Sequence, residues 1–322
     1  MKRFKNILYV NEPCVDQNST VARAVALAKS DQADLTVMDV IPTEVVAVGF
    51  GLPPDGPIST KLREGMVAER QSALNSLFQP YAEQLNIQFD VSVGKRFIDV
   101  IRAVLKDEYD LVIKPAEIPY WTRRLFGSDD LHLLRKCPCP VWLVKTPEKS
   151  NYSSILAAVD FDPLDSSNTG KLNRTILELA ASLALSEVAS LHIVHAWESF
   201  SSKSMASIGL SSDNINKHLE YEHKYHTENL QSLSDKLSEW IGKDAYNDLS
   251  LSFHLPKGSA KEVIAPLAME LRVDLVVMGT VAHTSISGFF MGNTAESILD
   301  QLSCSVLAVK PPGFQTPVKE DA

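Results

Sequence analysis

Gly127–Lys145 reads GSDDLHLLRKCPCPVWLVK, and Gly292–Lys310 reads GNTAESILDQLSCSVLAVK. Laid one on the other, the segments share their opening glycine, Leu134 with Leu299, Cys139 with Cys304, Val141 with Val306, Val144 with Val309, and the closing Lys145 with Lys310. Each of these pairs lies 165 residues apart. Outward from there, Phe89 and Gly94 fall on Phe253 and Gly258 at a spacing of 164, and Ile7-Leu8 falls on Ile155-Leu156 at 148. The spacing changes because the second copy carries extra residues early, around Asp162–Lys171. A repeat unit this long is a whole domain, so the chain is a duplication rather than a solenoid. The expected division is 1–148 and 149–322, with the short polar run Thr146–Asn151 as the linker.

Within each copy, strand-like runs alternate with helical patterns. In the first, Asn6–Val10, Leu35–Ile41, Ile87–Val93, Asp110–Ile113 and Val141–Val144 read as strands. Ser19–Lys29, Lys61–Leu85, Ile98–Leu105 and Asp129–Arg135 read as the helices between them. The second copy repeats this with strands at Ser154–Val159, Ser190–Ala196, Leu249–Leu255, Asp274–Met278 and Val306–Val309. Its helices are expected at Ile176–Leu185, Asn214–Trp240, Ala260–Glu270 and Thr294–Leu302. Such alternation, with strands that are continuous Val/Ile/Leu runs, predicts α/β architecture: two tandem doubly wound domains, each a five-stranded parallel sheet with helices on both faces. Ser259-Ala260-Lys261-Glu262 has the spacing of a capping box. Gly49–Thr60, rich in Pro and Gly, reads as a loop over a sheet edge, and the tail Lys319–Ala322 as frayed.

Composition narrows the function. A formal charge of −9 argues against nucleic-acid binding, which needs clustered Lys and Arg. No stretch approaches the roughly 20 apolar residues that span a bilayer, and Met1–Lys5 leads into a strand rather than a signal core. A cytoplasmic location is therefore expected, with no membrane partner. Four cysteines in a chain of 322 residues do not make a disulfide framework, so reduced thiols are expected.

In open α/β sheets, ligands sit beyond the carboxyl ends of strands, where the strand order reverses. In the second copy Asp160 closes the first strand and Gly279 closes the fourth, and a loop runs on to Gly292-Asn293-Thr294 at a helix start. Glycine lets a backbone approach a ligand closely, and helix-start N–H groups favour an anion. The plainer alternative is that both glycines only shape a loop and that Asn293 or Thr294 only caps a helix.

The run Met278–Glu296, MGTVAHTSISGFFMGNTAE, resembles the nucleotide motif of the universal stress protein family: glycine, two residues, glycine, nine residues, glycine, then a small polar residue. Ala282 stands where the second glycine belongs, and Asn293 where a serine or threonine is usual. The likeness covers nearly the whole chain as two family domains. It implies an adenine nucleotide alpha hydrolase-like fold with strand order 3-2-1-4-5 and contact between the copies through the fifth strands, Val141–Lys145 and Val306–Lys310. An intrachain pseudo-dimer, or a homodimer of it, follows. It also implies ligand residues: Asp160 on the adenine or ribose side, Val194 beside the base, and Gly279, Ala282, Gly292, Asn293 and Thr294 around the phosphates. No cofactor is required, but ATP or AMP is a candidate in the second copy. The first copy departs further. Glu12 replaces Asp160, Lys114-Pro115-Ala116 replaces the strand-end glycine, and Asp129 and Asp130 follow Gly127-Ser128, so it is expected not to bind nucleotide.

The resemblance therefore implies a non-catalytic stress-response protein, active under DNA damage and growth arrest, whose second half holds a small ligand. The rival is a binder of hydrophobic ligands or an interaction scaffold with a vestigial site, with Trp121, Phe126, Phe289, Phe290 and Met291 lining an apolar pocket. An ATP-hydrolysing enzyme is weakest, because no group is placed to activate water. His218, His223 and His226 with Glu222 read as a solvated helix face rather than a metal site. Cys139 and Cys304 read as small buried residues. Gly170-Lys171 is not a phosphate loop, because Asp165 occupies the place of its first glycine.

Overall fold

The computed structural model describes residues 4–43, 57–117, 128–145, 149, 151–161, 166–199, 207–209, 211–281 and 292–319. Two compact units emerge. Unit 1 is Met1–Ser150 with Ser305–Ala308 and Phe314–Ala322, and unit 2 is Asn151–Cys304 with Val309–Gly313.

Unit 1 runs β1 (Asn6–Val10), α1 (Asn18–Asp31), β2 (Asp34–Pro42), α2 (Pro57–Phe78), β3 (Ile87–Gly94), α3 (Arg96–Lys106), β4 (Leu111–Pro115), α4 (Ser128–Lys136) and β5 (Val141–Val144). The strands pair in parallel as β3-β2-β1-β4-β5. Every residue of β4 and β5 is buried, so both faces of the sheet centre are covered. Ser305–Ala308 adds to this unit antiparallel to β5, with Val306 opposite Leu143 and Ala308 opposite Val141.

Unit 2 runs β6 (Ser154–Ala158), α5 (Ser166–Glu187), β7 (Ser190–Val194), α6 (Ser212–Ile241), α7 (Lys243–Asn247), β8 (Ser250–His254), α8 (Ala260–Glu270), β9 (Leu275–Gly279) and α9 (Asn293–Leu299), while of β10 (Ser305–Val309) only Val309 belongs to it. Its parallel pairs give β8-β7-β6-β9, and Thr280 N–H donates to Val309 O at 3.4 Å. The order reverses direction between β6 and β9, which places the crevice at their carboxyl ends.

Two local readings need correction. The helix predicted to reach Leu85 stops at Phe78, and a 3₁₀ turn follows at Gln79–Tyr81. Pro80 explains the stop, since it has no N–H to continue the ladder. Glu262 N–H donates to the Ser259 carbonyl, but the Ser259 hydroxyl makes no cap bond. The capping box is therefore not formed. Of Gly49–Thr60, the final Pro57–Thr60 is the start of α2 rather than loop, and the rest lies outside the described residues, as do most of Thr146–Asn151 and the end of the Lys319–Ala322 tail. Among the described residues no helix is long and apolar enough to cross a membrane.

Candidate functional site

A cleft of about 530 Å³ opens at the carboxyl ends of β6 and β9 in unit 2. Asp160, Gly279, Gly292, Asn293 and Thr294 all line it. Residues far apart in the chain are thus brought to one space, and specific bonds hold them there. Gly292 N–H donates to Thr280 O at 3.2 Å, which ties the residue that opens α9 to the end of β9. Thr280 is fully buried, and Lys310 Nζ donates to its hydroxyl at 2.5 Å. A Cβ on Gly279 would come within 2.9 Å of Leu172 Cδ2, so glycine leaves that wall of the cleft its present shape. Val194 is fully buried in β7 and is not part of the lining, where Ala196 stands on that side. Ala282, Trp121, Phe126, Phe289, Phe290 and Met291 lie outside the described residues.

Asp160 is held by Asn173. Asn173, buried in the second turn of α5, accepts from Asp160 N–H at 3.2 Å and donates from Nδ2 to Asp160 O at 2.6 Å. One side chain therefore satisfies both backbone groups of a strand end with no ladder partner left. The signal was present, since Asn173 interrupts the apolar stripe of α5 formed with Ile176, Leu177 and Ala180. The Asp160 carboxylate accepts from Phe161 N–H at 2.8 Å and is largely exposed.

Behind Asp160 lies a pair of histidines. His195 Nε2 is 2.9 Å from His226 Nδ1, while His195 Nδ1 is 3.4 Å from Val159 O and 3.9 Å from Asp160 Oδ1. A carbonyl only accepts, so His195 carries its proton on Nδ1, and its Nε2 accepts from His226 Nδ1–H. Burial holds His195 down at about 4, against the pull of Asp160 and Val159 O, and His226 is lowered for the same first reason. The solvated-face reading of α6 therefore holds for His218 and His223, which are exposed, but fails for His226. His218 Nε2 sits 3.2 Å from Glu222 Oε1 on that face. Among the described residues no cluster of three or more His, Cys, Asp or Glu is arranged to hold a metal ion.

Unit 1 has different chemistry at the matching positions. Lys114, the counterpart of Gly279, is buried to 1% exposure, and its Nζ lies 2.8 Å from Asp130, 3.1 Å from Glu12 and 3.5 Å from Glu117. Arg96 reaches Glu12 at 3.3 Å. Burial works to lower the Lys114 ammonium's pKa, but the carboxylates of Asp130, Glu12 and Glu117 outweigh it and hold the group above its ordinary value. Burial also pushes Glu117 up to about 7, with the nearby Lys114 pulling the other way.

The universal stress protein family model matches residues 3–145 and again 151–310, covering both copies. The chain belongs to the universal stress protein family. Universal stress protein E of Salmonella typhi is 30% identical over 100% of this chain and 99% of that protein, and that of Escherichia coli (strain K12) is 29% identical over 100% and 98%. A universal stress protein structure from Pseudomonas aeruginosa UCBPP-PA14 covers 96% of this chain and 94% of its own, at 24% identity and a TM-score of 0.69. Another from Archaeoglobus fulgidus DSM 4304 covers 95% and 98%, at 16% identity and a TM-score of 0.62. These structures share the tandem stress-protein fold.

Proposed function

We propose that this universal stress protein is a non-catalytic, cytoplasmic stress-response protein whose unit 2 binds an adenine nucleotide in the cleft at β6 and β9. The single supporting observation is the convergence of Asp160, Gly279, Gly292, Asn293 and Thr294 on one space large enough for a small ligand. Unit 1 then serves as a structural or interaction half, because Lys114 and its carboxylates fill the matching positions. Protection under DNA damage or growth arrest is the role carried over with the family.

Charge refines which nucleotide. No Lys or Arg is among the described lining residues, and neither 162–165 nor 282–291 contains one in sequence. Each added phosphate meets no cation among the described lining residues, so it gains little attraction. AMP should therefore bind at least as tightly as ATP in titration calorimetry at low salt. ATP bound more than about tenfold tighter, a difference of ~1.4 kcal/mol, contradicts the charge argument.

The apolar part of the lining, with Leu172, Ile176, Ile264, Met278 and Ile298, favours a second reading: an amphipathic or lipid-like ligand. Mass spectrometry of what freshly purified protein releases on denaturation separates the two. Adenine nucleotide that disappears in Gly292→Trp supports the first reading. Released lipid, with no AMP or ATP heat, supports the second.

A further inference from the structure

We propose that Phe161 is the platform on which the planar ring of the ligand stacks, and so the residue that selects a ring-bearing ligand over an aliphatic one. The inference rests on the nucleotide reading of the cleft and goes beyond it by naming a specificity residue outside the family motif.

Phe161 follows Asp160 directly and is half-buried at the end of β6. It lines the main cleft and also a second cavity of about 160 Å³, whose far side is α6 through Tyr225, Asn229 and Leu233. Asp160, Thr169 and Asn173 also border both spaces, so these four residues form the partition between them. An aromatic ring that borders two cavities has far less side-chain packing than a core phenylalanine.

Its support is firm on one side. The ring meets His195 edge-to-face, with centroids 4.5 Å apart at 71°. His195 is itself fixed by Val159 O and by His226 from α6. Phe161 N–H is tied to the Asp160 carboxylate, which sets the backbone angle at which the ring leaves the strand. A preorganised ring loses little freedom when a ligand stacks on it. Beside it, the exposed Asp160 carboxylate can accept from an amino group at a ring's edge. Face and edge of one amino-substituted heteroaromatic ring are thereby read by adjacent residues. An aliphatic chain would use neither feature.

The test is AMP affinity, measured by titration calorimetry on the full chain, across Phe161→Ala, Phe161→Leu, Phe161→Tyr and Phe161→Trp, with thermal melts checking each fold. Base–aromatic stacking predicts that Ala weakens AMP roughly 5- to 100-fold. Leu should lose nearly as much, although it preserves apolar bulk, and Tyr or Trp should restore affinity to near the parent value. The Trp variant should also show its added indole emission quenched by AMP. Leu binding AMP as tightly as Phe overturns the platform while leaving the nucleotide reading intact. A parent protein that binds no AMP and releases lipid overturns both.

Discussion

Replacing Lys114 by methionine should destabilise unit 1 by about 3–5 kcal/mol, read as an earlier urea transition for that unit in the full chain. The magnitude is that of removing one partner from a buried ion pair, where the penalty comes from the charges left behind. Here the residue is 1% exposed and serves three carboxylates at once, so its loss removes the cation that Glu12, Glu117 and Asp130 share. Arg96 Nη1 still reaches both Glu12 oxygens, at 3.5 and 3.3 Å. Asp130 is fully buried and also accepts from Glu117 N–H at 2.8 Å, so it cannot swing to water without releasing that backbone. The control is Lys114→Met combined with Glu12→Gln and Asp130→Asn. Neutralising the two most buried of the three carboxylates at similar volume should recover much of the loss, because desolvated charge rather than missing volume is the cause. A Lys114→Met protein that unfolds at the parent's urea concentration contradicts this account.

The sequence made the duplication, the fold and the strand ends legible, because apolar periodicity and glycine spacing survive in one dimension. Val141–Val144 and Val306–Val309 read as strands for the physical reason that they are buried on both faces. Side-chain partnerships were less visible, because they depend on where separate elements cross. Lys114 read only as the loss of a glycine, although a lysine ending the apolar run Leu111-Val112-Ile113 signals a buried cation in need of acids. His226 read as one of several charged-face residues of α6. Its partner His195 lies 31 residues earlier, just past β7, and no local pattern links them. Asn173 carried a local signal, a polar residue in an apolar stripe, but its target, the Asp160 backbone, emerged only once β6 and α5 were packed together. The copies thus diverged at equivalent strand ends in opposite ways. One encloses its own counter-ions and the other leaves a space.

That divergence predicts opposite responses to acid. Unit 2 should lose stability as pH falls below about 6.5, with His195 alone accounting for about 3 kcal/mol by the time the pH reaches 4. The sign follows from linkage. The folded state keeps His195 neutral down to about 4, while the unfolded chain takes up its proton near 6.5, so the unfolded state binds more protons across that window and acid favours it. His192, His226 and His254 are shifted the same way, by burial first in each case. The geometry gives the same answer, because His195 Nδ1 already donates to a carbonyl and Nε2 already accepts from His226. A proton on Nε2 sets two N–H groups against each other across 2.9 Å. Asp160 is the acidic group that eases this proton's cost at His195, and Glu222 does so at His226, but both act against the larger effect of burial. In unit 1, Glu117 is raised to about 7 from an ordinary 4.5, so its contribution is complete below 4.5 and lost as pH rises through 7. Asp39, Asp110 and Asp129 are raised in the same direction, again by burial first, while His132, lowered by burial, is the one shifted histidine of this unit that opposes them among the described residues. Acidification from pH 7 to 5 should therefore separate the two urea transitions, with unit 2 moving to lower urea while unit 1 holds or gains. Trp142 reports on unit 1, and Trp197 and Trp240 on unit 2, so single-tryptophan variants can assign each transition. His195→Asn, which retains a donor toward Val159 O, should flatten the pH slope of unit 2 and leave that of unit 1 unchanged. If unit 2 keeps its full stability at pH 5, or if His195→Asn leaves its slope as steep as before, the buried histidine pair is not what couples this half of the molecule to protons.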